Sequence, residues 1–303
     1  MKTIAYSNPF VPPEWIAAHS LRPRRLRPPA AGGDAAVEAI RGLCPFVRAF
    51  LAAVRRDADI AAVVMTTTCD QMRHAATLAT RDAVRPVFLL NVPATWQTPT
   101  ARALYLDELE RLGRFLVELG GSRPSPARLA DAMLQHEQSR RCEADDSANN
   151  VDNNGDGIPL ALIGGPLLED DEPIFDLIHQ AGGYVALDGT EGGPRTLPAS
   201  FDREQLESEP LAELARAYFD AIVDPFRRPN DGFYRWLARE LPRRQVRGVV
   251  LWRYVWCDLW HAEAHRMKQT CSVPLLDLDT CRDDDGSLQR AAGRIEAFLE
   301  MLQ

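Results

Sequence analysis

Two patterns of hydrophobic positions take turns along the chain. Continuous apolar runs rich in β-branched residues, such as IAAVVMTTT (60–68) and VRGVVLWRYV (246–255), suit interior strands of a parallel sheet, which are covered on both faces. KTIAY (2–6), RPVFLLNVP (85–93), LALIGGPL (160–167), YVALDG (184–189) and VPLLDLD (273–279) are shorter runs of the same kind. Between them lie stretches with apolar residues at helical spacing. These are PPEWIAAH (12–19), CPFVRAFLAAVRRD (44–57), DQMRHAATLATRD (70–82) and ARALYLDELERLGRFLVELGG (101–121) in the first part of the chain. SPARLADAMLQHEQSRRCEAD (125–145) continues the helical pattern, and DEPIFDLIHQAGG (171–183), EPLAELARAYFDAIV (209–223) and DGFYRWLARELP (231–242) carry it into the second part. DLWHAEAHRMKQT (258–270) and GSLQRAAGRIEAFLEML (286–302) complete it. Strand and helix in alternation predict an α/β protein of parallel sheets with crossover helices.

Composition punctuates this pattern. LRPRRLRPPAAGGD (21–34) and the Asn/Asp/Gly-rich run DDSANNVDNNGDGIP (145–159) read as loop or linker. The expected organisation is an N-terminal α/β lobe over 1–121, a helix and flexible linker over 122–157, and a C-terminal α/β lobe with a helical insertion over 158–303. The 303 residues carry a net charge of −8. There is no basic surplus to neutralise phosphates, so a general nucleic-acid binder is excluded. Lys2 and Lys268 are the only lysines, the mark of a GC-rich genome. No apolar stretch approaches the ~18 residues that span a bilayer, and MKTIAYSNPFVPPEW lacks the apolar core of a signal peptide. The expectation is a cytoplasmic protein without a membrane partner, whose six cysteines are thiols or metal ligands.

Three of those cysteines stand in comparable places. Cys69 follows the run 60–68 and Cys257 follows 246–256; each is followed by an aspartate (Asp70, Asp258) and then a helix. Cys44 precedes Pro45, which suits a first helical position. In open α/β sheets ligands collect beyond the carboxyl ends of the strands, so three thiols there can meet in one crevice between the halves. Such a set suits an iron–sulfur cluster or zinc; the lack of a C-x-x-C pair argues against a zinc ribbon. The competing reading is that buried cysteines merely fill core space, and Cys142, Cys271 and Cys281 are read that way.

The ordered segments IAYSNPFVPPEWIAAHSLRPRRL, CPFVRAFL, VVMTTTCDQMRHAATL, VFLLNVPATWQTPTARALYLDELERLGRFL, LALIGGPL, IFDLIHQAGGYVALDG and GVVLWRYVWCDLWHAEAHRMKQTCSVPLLDLD resemble the 2-hydroxyacyl-CoA dehydratase and benzoyl-CoA reductase family, specifically its D-component or B/C-type subunits. The resemblance implies two Rossmann-like or flavodoxin-like lobes with a [4Fe–4S] cluster between them, held by Cys44, Cys69 and Cys257. It implies a related second subunit (or a second copy), an ATP-hydrolysing iron–sulfur activator that supplies single electrons, and an acyl-CoA substrate. In the dehydratases the thioester becomes a ketyl radical that expels the hydroxyl group; in the reductases an aromatic ring is reduced. A small-molecule reductase using the same cluster on a non-CoA substrate, and a non-catalytic, cluster-bearing scaffold, are further alternatives. The chain departs from the family in its short length, in its 145–157 linker, and in ALDGTEGGPR (186–195), where Thr190 and Glu191 replace a cysteine-containing loop.

Other motifs are weaker. DNNGDG (152–157: Asp152, Asn154, Asp156, Gly157) opens like a calcium loop, but its twelfth position is Ile163. HAEAH places His261 and His265 on one helical face near Cys257, with Glu263 at the wrong offset for a metalloprotease. Gly164 and Gly165 make a strand-closing turn, not a dinucleotide fingerprint, and there is no P-loop. Trp252, Tyr254, Trp256 and Trp260, with Trp96, are expected in core or interface, a share of them lining an acyl pocket.

Overall fold

The computed structural model describes residues 1–30, 37, 40–82, 85–150, 157–281 and 286–303, the side chains of 143–150 excepted. Among these residues, eight strands form two four-stranded sheets. β1 (Thr3–Tyr6), β2 (Arg22–Arg25), β3 (Ile60–Thr66) and β4 (Val87–Leu90) make the first, in the order β2-β1-β3-β4. β5 (Ile158–Gly164), β6 (Gly183–Gly189), β7 (Gly248–Tyr254) and β8 (Leu275–Thr280) make the second, in the order β6-β5-β7-β8. Every pairing is parallel. This is the two-lobed α/β fold expected from the alternating patterns.

Both sheets share one topology. The chain goes first to one neighbour of the opening strand, then crosses to its other side, so the direction of winding reverses between β1 and β3 and again between β5 and β7. At such a switch point the crossovers leave to opposite faces and open a crevice at the strand C-termini.

In the first lobe, α1 (Pro13–Ala18), α4 (Pro99–Glu118) and α5 (Pro126–Asn150) cover one face, and α2 (Pro45–Arg56) and α3 (Asp70–Arg81) the other. Strand alternation serves both layers: Ile4 and Val64 face the first core, Ala5 and Val63 the second. In the second lobe, α6 (Ile174–Gln180) and α11 (Ser287–Leu302) pack against Leu160, Leu162 and Val250. Across that sheet, α9 (Asp231–Arg243) and α10 (Asp258–Thr270) pack against Ile163, Val249 and Leu251. The remaining helices, α7 (Arg203–Ser208) and α8 (Pro210–Phe219), pack with Tyr105 and Leu109 of α4 in the first lobe's core, although they follow β6 in the chain. Leu168 and Tyr254 of the second lobe enter the α2–α3 core of the first, tying the lobes beside the crevice.

Two segments differ from the sequence reading. Arg22–Arg25 lies inside the stretch expected to be loop, yet pairs in register with β1 as an edge strand, Ile4 opposite Pro23. Pro23 is tolerated because an edge strand need not donate outward, and the strand shows no apolar pattern: Arg22 is exposed and the other three residues are half-buried, none entering the core. The helix α5 also continues to Asn150, through the first residues of the expected linker. Residues 152, 154 and 156 of the calcium-like run lie outside the described residues; Ile163 is a buried residue of β5.

Candidate active site at the facing switch points

Each of the three cysteines stands at the N-cap position of a helix, without a capping hydrogen bond. Cys44, Cys69 and Cys257 are the N-cap residues of α2, α3 and α10. The reason is local: β3 ends at Thr66 and β7 at Tyr254, and a short turn feeds each into the helix behind the sheet. Pro45 fixes the first helical φ of α2 without wasting an N–H. The three thiols therefore occupy the positive ends of helices of 12, 12 and 13 residues.

The fold brings them together. All three line one cavity of about 750 Å³, measured with its mouth, between the C-terminal ends of β1 and β3 on one side and of β5 and β7 on the other. The walls are mostly apolar, with Phe46, Val47 and Met72 from the first lobe and Trp252, Leu259 and Trp260 from the second. A polar corner stands against them: Asn8 Nδ2 donates to Thr68 Oγ1 at 3.0 Å, and Thr66 and Thr68 hydroxyls are 2.8 Å apart.

The thiols sense burial and one another. Burial, then the neighbouring Cys257 sulfur, pushes Cys44 up to about 12, and the Cys69 sulfur adds to this. Burial likewise lifts Cys257 to about 12, with Cys69 as a further cause, and raises Cys69 itself. The amides of Phe46 and Val47 act the other way on Cys44, as those of Gln71 and Met72 do on Cys69. None reaches full capping geometry, so they soften the effect of burial without cancelling it. Three neutral thiols in mutual electrostatic contact form a place that a cationic group would convert to thiolates, since a coordinating thiol is deprotonated outright.

The donors do not close round one ion. Among the described residues, no group of three or more His, Cys, Asp or Glu is placed to hold a single metal ion. His261 and His265 lie on the exposed face of α10, and His265 Nε2 is 2.9 Å from Gln269 Nε2. A polynuclear cluster takes each thiolate on a different iron, and the set of three soft donors fits that group in chemistry.

The aspartates after the cysteines do not reach the cavity. Asp70 is exposed in the first turn of α3 and pairs with Arg73 at 3.1 Å; Asp258 is exposed in the first turn of α10. Cys142 is exposed, and Cys271 and Cys281 are half-buried outside the cavity lining. Trp252, Tyr254 and Trp260 are buried and line the cavity. Trp256 is 59% exposed and holds a left-handed backbone, φ +66°, one residue before Cys257. Trp96 is half-buried, its indole donating to the Pro229 carbonyl at 2.9 Å.

The sequence reading passed over Glu191 as a mere departure. It is buried, lines the thiol cavity, and approaches Arg25 of β2 at 3.4 Å. Burial pushes its carboxyl up to about 7, against the pull of Arg25. Arg195 supports this corner from behind: its buried guanidinium donates to the carbonyls of Gly164, Gly189 and Val223 and pairs with Asp224 at 3.2 Å. A lone arginine six residues past a strand carried no sequence signal for this.

No helix among the described residues is long and apolar enough to cross a membrane. No curated protein matches the chain. Solved structures give weak likenesses. A laminin-binding adhesin of Streptococcus agalactiae is 10% identical with a TM-score of 0.25, and both chains are covered in full. The SBP FpvC of P. aeruginosa, in complex with Ni2+, is 12% identical with a TM-score of 0.24, covering 100% of this chain and 97% of that one. Agreement that low carries no argument about this site. The family comparison is of a different order: the profile of the 2-hydroxyglutaryl-CoA dehydratase D-component matches residues 8–147 and 142–302, almost the whole length. The chain belongs to the 2-hydroxyglutaryl-CoA dehydratase D-component family and is a dehydratase-like component of a multi-subunit enzyme.

Proposed function

We propose that this chain is the iron–sulfur component of a 2-hydroxyacyl-CoA dehydratase, holding a [4Fe–4S] cluster on Cys44, Cys69 and Cys257. The observation that carries the reading is the open cavity lined by all three thiols. A scaffold that had lost its substrate would have that space filled; here it is open. The partners in this reading are a related second subunit, or a second copy, and an ATP-hydrolysing iron–sulfur activator in the cytoplasm. The cluster supplies low-potential one-electron chemistry to the thioester, within the range of about −700 to +450 mV open to such clusters.

The chain's own residues do the rest. Phe46, Met72, Trp252 and Trp260 exclude water from the reacting end of the acyl group. The N-termini of α2, α3 and α10 face the cavity through their N-cap cysteines, and their partial positive charge favours the anionic oxygen of a reduced thioester. The Asn8–Thr68–Thr66 network offers fixed hydrogen-bonding groups to a polar substrate atom. A ring-reducing enzyme would share the cluster and differ in what enters the cavity.

The test is anaerobic purification with iron and sulfide quantitation and EPR of the reduced protein, beside a Cys69→Ser variant. About four irons per chain, falling sharply in the variant, is the expected result. Iron-free wild type after anaerobic reconstitution would sink the cluster assignment.

A further inference from the structure

Glu191 sits where two cavities meet. The thiol cavity and a second pocket of about 460 Å³ on the β2–β6 side share Ser7, Phe46, Pro166 and Glu191 in their walls. The backbone of Glu191 is clamped. Its N–H donates to the Gly165 carbonyl at 3.1 Å, and its carbonyl accepts from Arg25 Nη2 at 3.0 Å and Thr196 Oγ1 at 2.9 Å. Its carboxyl is treated differently. Oε1 lies 3.4 Å from Arg25 Nη2, a long contact, and no shorter one to the carboxyl exists among the described residues. The residue is 8% exposed. A rigid backbone thus presents a buried, poorly satisfied carboxyl to a cavity wall, and a buried polar group without good partners is costly to leave unpaired. A substrate hydroxyl would satisfy it.

We propose that Glu191 is the proton donor to the substrate hydroxyl that leaves, and the acceptor of the proton then lost from the neighbouring carbon. The proposal rests on the dehydratase reading given above. The thioester, reduced by one electron from the iron–sulfur activator, expels the 2-hydroxyl: the C2–O bond breaks and its electron pair goes to oxygen. The Glu191 O–H bond breaks and its proton joins that oxygen, which leaves as water. The C3–H bond then breaks, its proton returns to the Glu191 carboxylate, and the electron is handed back as the enoyl thioester forms. Carboxyl and electron donor end as they began.

The surroundings permit both roles. Burial lifts the carboxyl to about 7, and Asp224 lifts it further, while Arg25 and Arg195 pull it down; Cys69 in turn feels its charge. At neutral pH acid and base forms are then both populated, the condition for efficient proton transfer in two directions.

The experiment uses the assembled enzyme, with second subunit and activator, and a panel of 2-hydroxyacyl-CoA thioesters that includes 2-hydroxyglutaryl-CoA. Glu191→Gln keeps the volume and the hydrogen bond but carries no transferable proton. The expected result is a loss of at least about a hundredfold in kcat with KM almost unchanged. The alkaline limb of the rate profile near the Glu191 titration should vanish in the variant, and Glu191→Asp should recover part of the rate. A Gln variant that retains more than about a hundredth of the wild-type kcat overturns the Glu191 proposal alone. A wild-type complex that dehydrates none of the panel overturns the functional reading and this proposal with it. Infrared difference spectra of the chain by itself, wild type minus Glu191→Ala, give an independent check even if the Gln variant fails to assemble. A protonated-carboxyl band present at about pH 6 and lost at about pH 8 is expected, and its absence overturns the proposal.

Discussion

Replacing Arg195 by alanine should unfold the crevice before it touches the chemistry. The guanidinium is fully buried and makes three bonds to carbonyls, at 2.7 Å to Gly189, 2.8 Å to Gly164 and 2.8 Å to Val223, plus the 3.2 Å pair with Asp224. It also lies 5.3 Å from the Trp260 ring centroid. Gly164 and Gly189 are the last residues of β5 and β6, so one side chain ties two strand ends to the segment after α8. Hydrogen bonds to a charged group are worth about 1.5–3 kcal/mol each, but losses that share one donor do not add. Water entering the vacated space would satisfy some of the carbonyls. The relevant magnitude is that of breaking one buried ion pair, about 3–5 kcal/mol. Urea denaturation followed by tryptophan fluorescence measures it, with Arg73→Ala as the reference. Arg73 pairs with Asp70 in the open, both side chains more than half exposed, and its loss should cost no more than about 1 kcal/mol. If Arg195→Ala cost no more than Arg73→Ala, the claim that this residue holds the strand ends would be wrong.

Two further outcomes follow from the same corner of the molecule. Because burial raises the Glu191 carboxyl from 4.5 to about 7, the folded protein binds a proton there that the unfolded chain releases. That contribution is fully present below about pH 4.5 and is lost as pH rises through about 7, at a total cost of about 3 kcal/mol. Urea titrations of the metal-free chain across that range should show Glu191→Gln gaining on wild type as pH rises; parallel curves would refute the burial argument. Gly164→Ala should be among the most damaging single substitutions, because a Cβ there runs into the carbonyl oxygen of Trp252, the residue paired with Gly164 across β5 and β7. Soluble variant protein with an unshifted melting temperature would show that the strand ends can move apart.

The helices and strands were legible because each rests on a local period, and that made the cysteines legible as well. Cys69 and Cys257 fall at a strand–helix boundary, and Pro45 marks Cys44 as a helix start, so their positions follow from neighbours a few residues away. The alternation of elements was enough to set the fold class.

Contacts across long stretches of chain could not be read in this way. The pairing of β2 comes from the free edge of β1, not from any pattern in LRPRRL. Helices α7 and α8 join the core of the first lobe, more than a hundred residues back in the chain, because their apolar faces match α4 and not the sheet they follow. Glu191 meets Arg25 across 166 positions, and only the tertiary fold turns an unremarkable loop glutamate into a buried carboxyl in the wall of the thiol cavity. The sequence determined the parts and the ends at which ligands gather. The packing of one lobe against the other decided which groups lost their water, and desolvation is what moves the titration of a buried carboxyl or thiol.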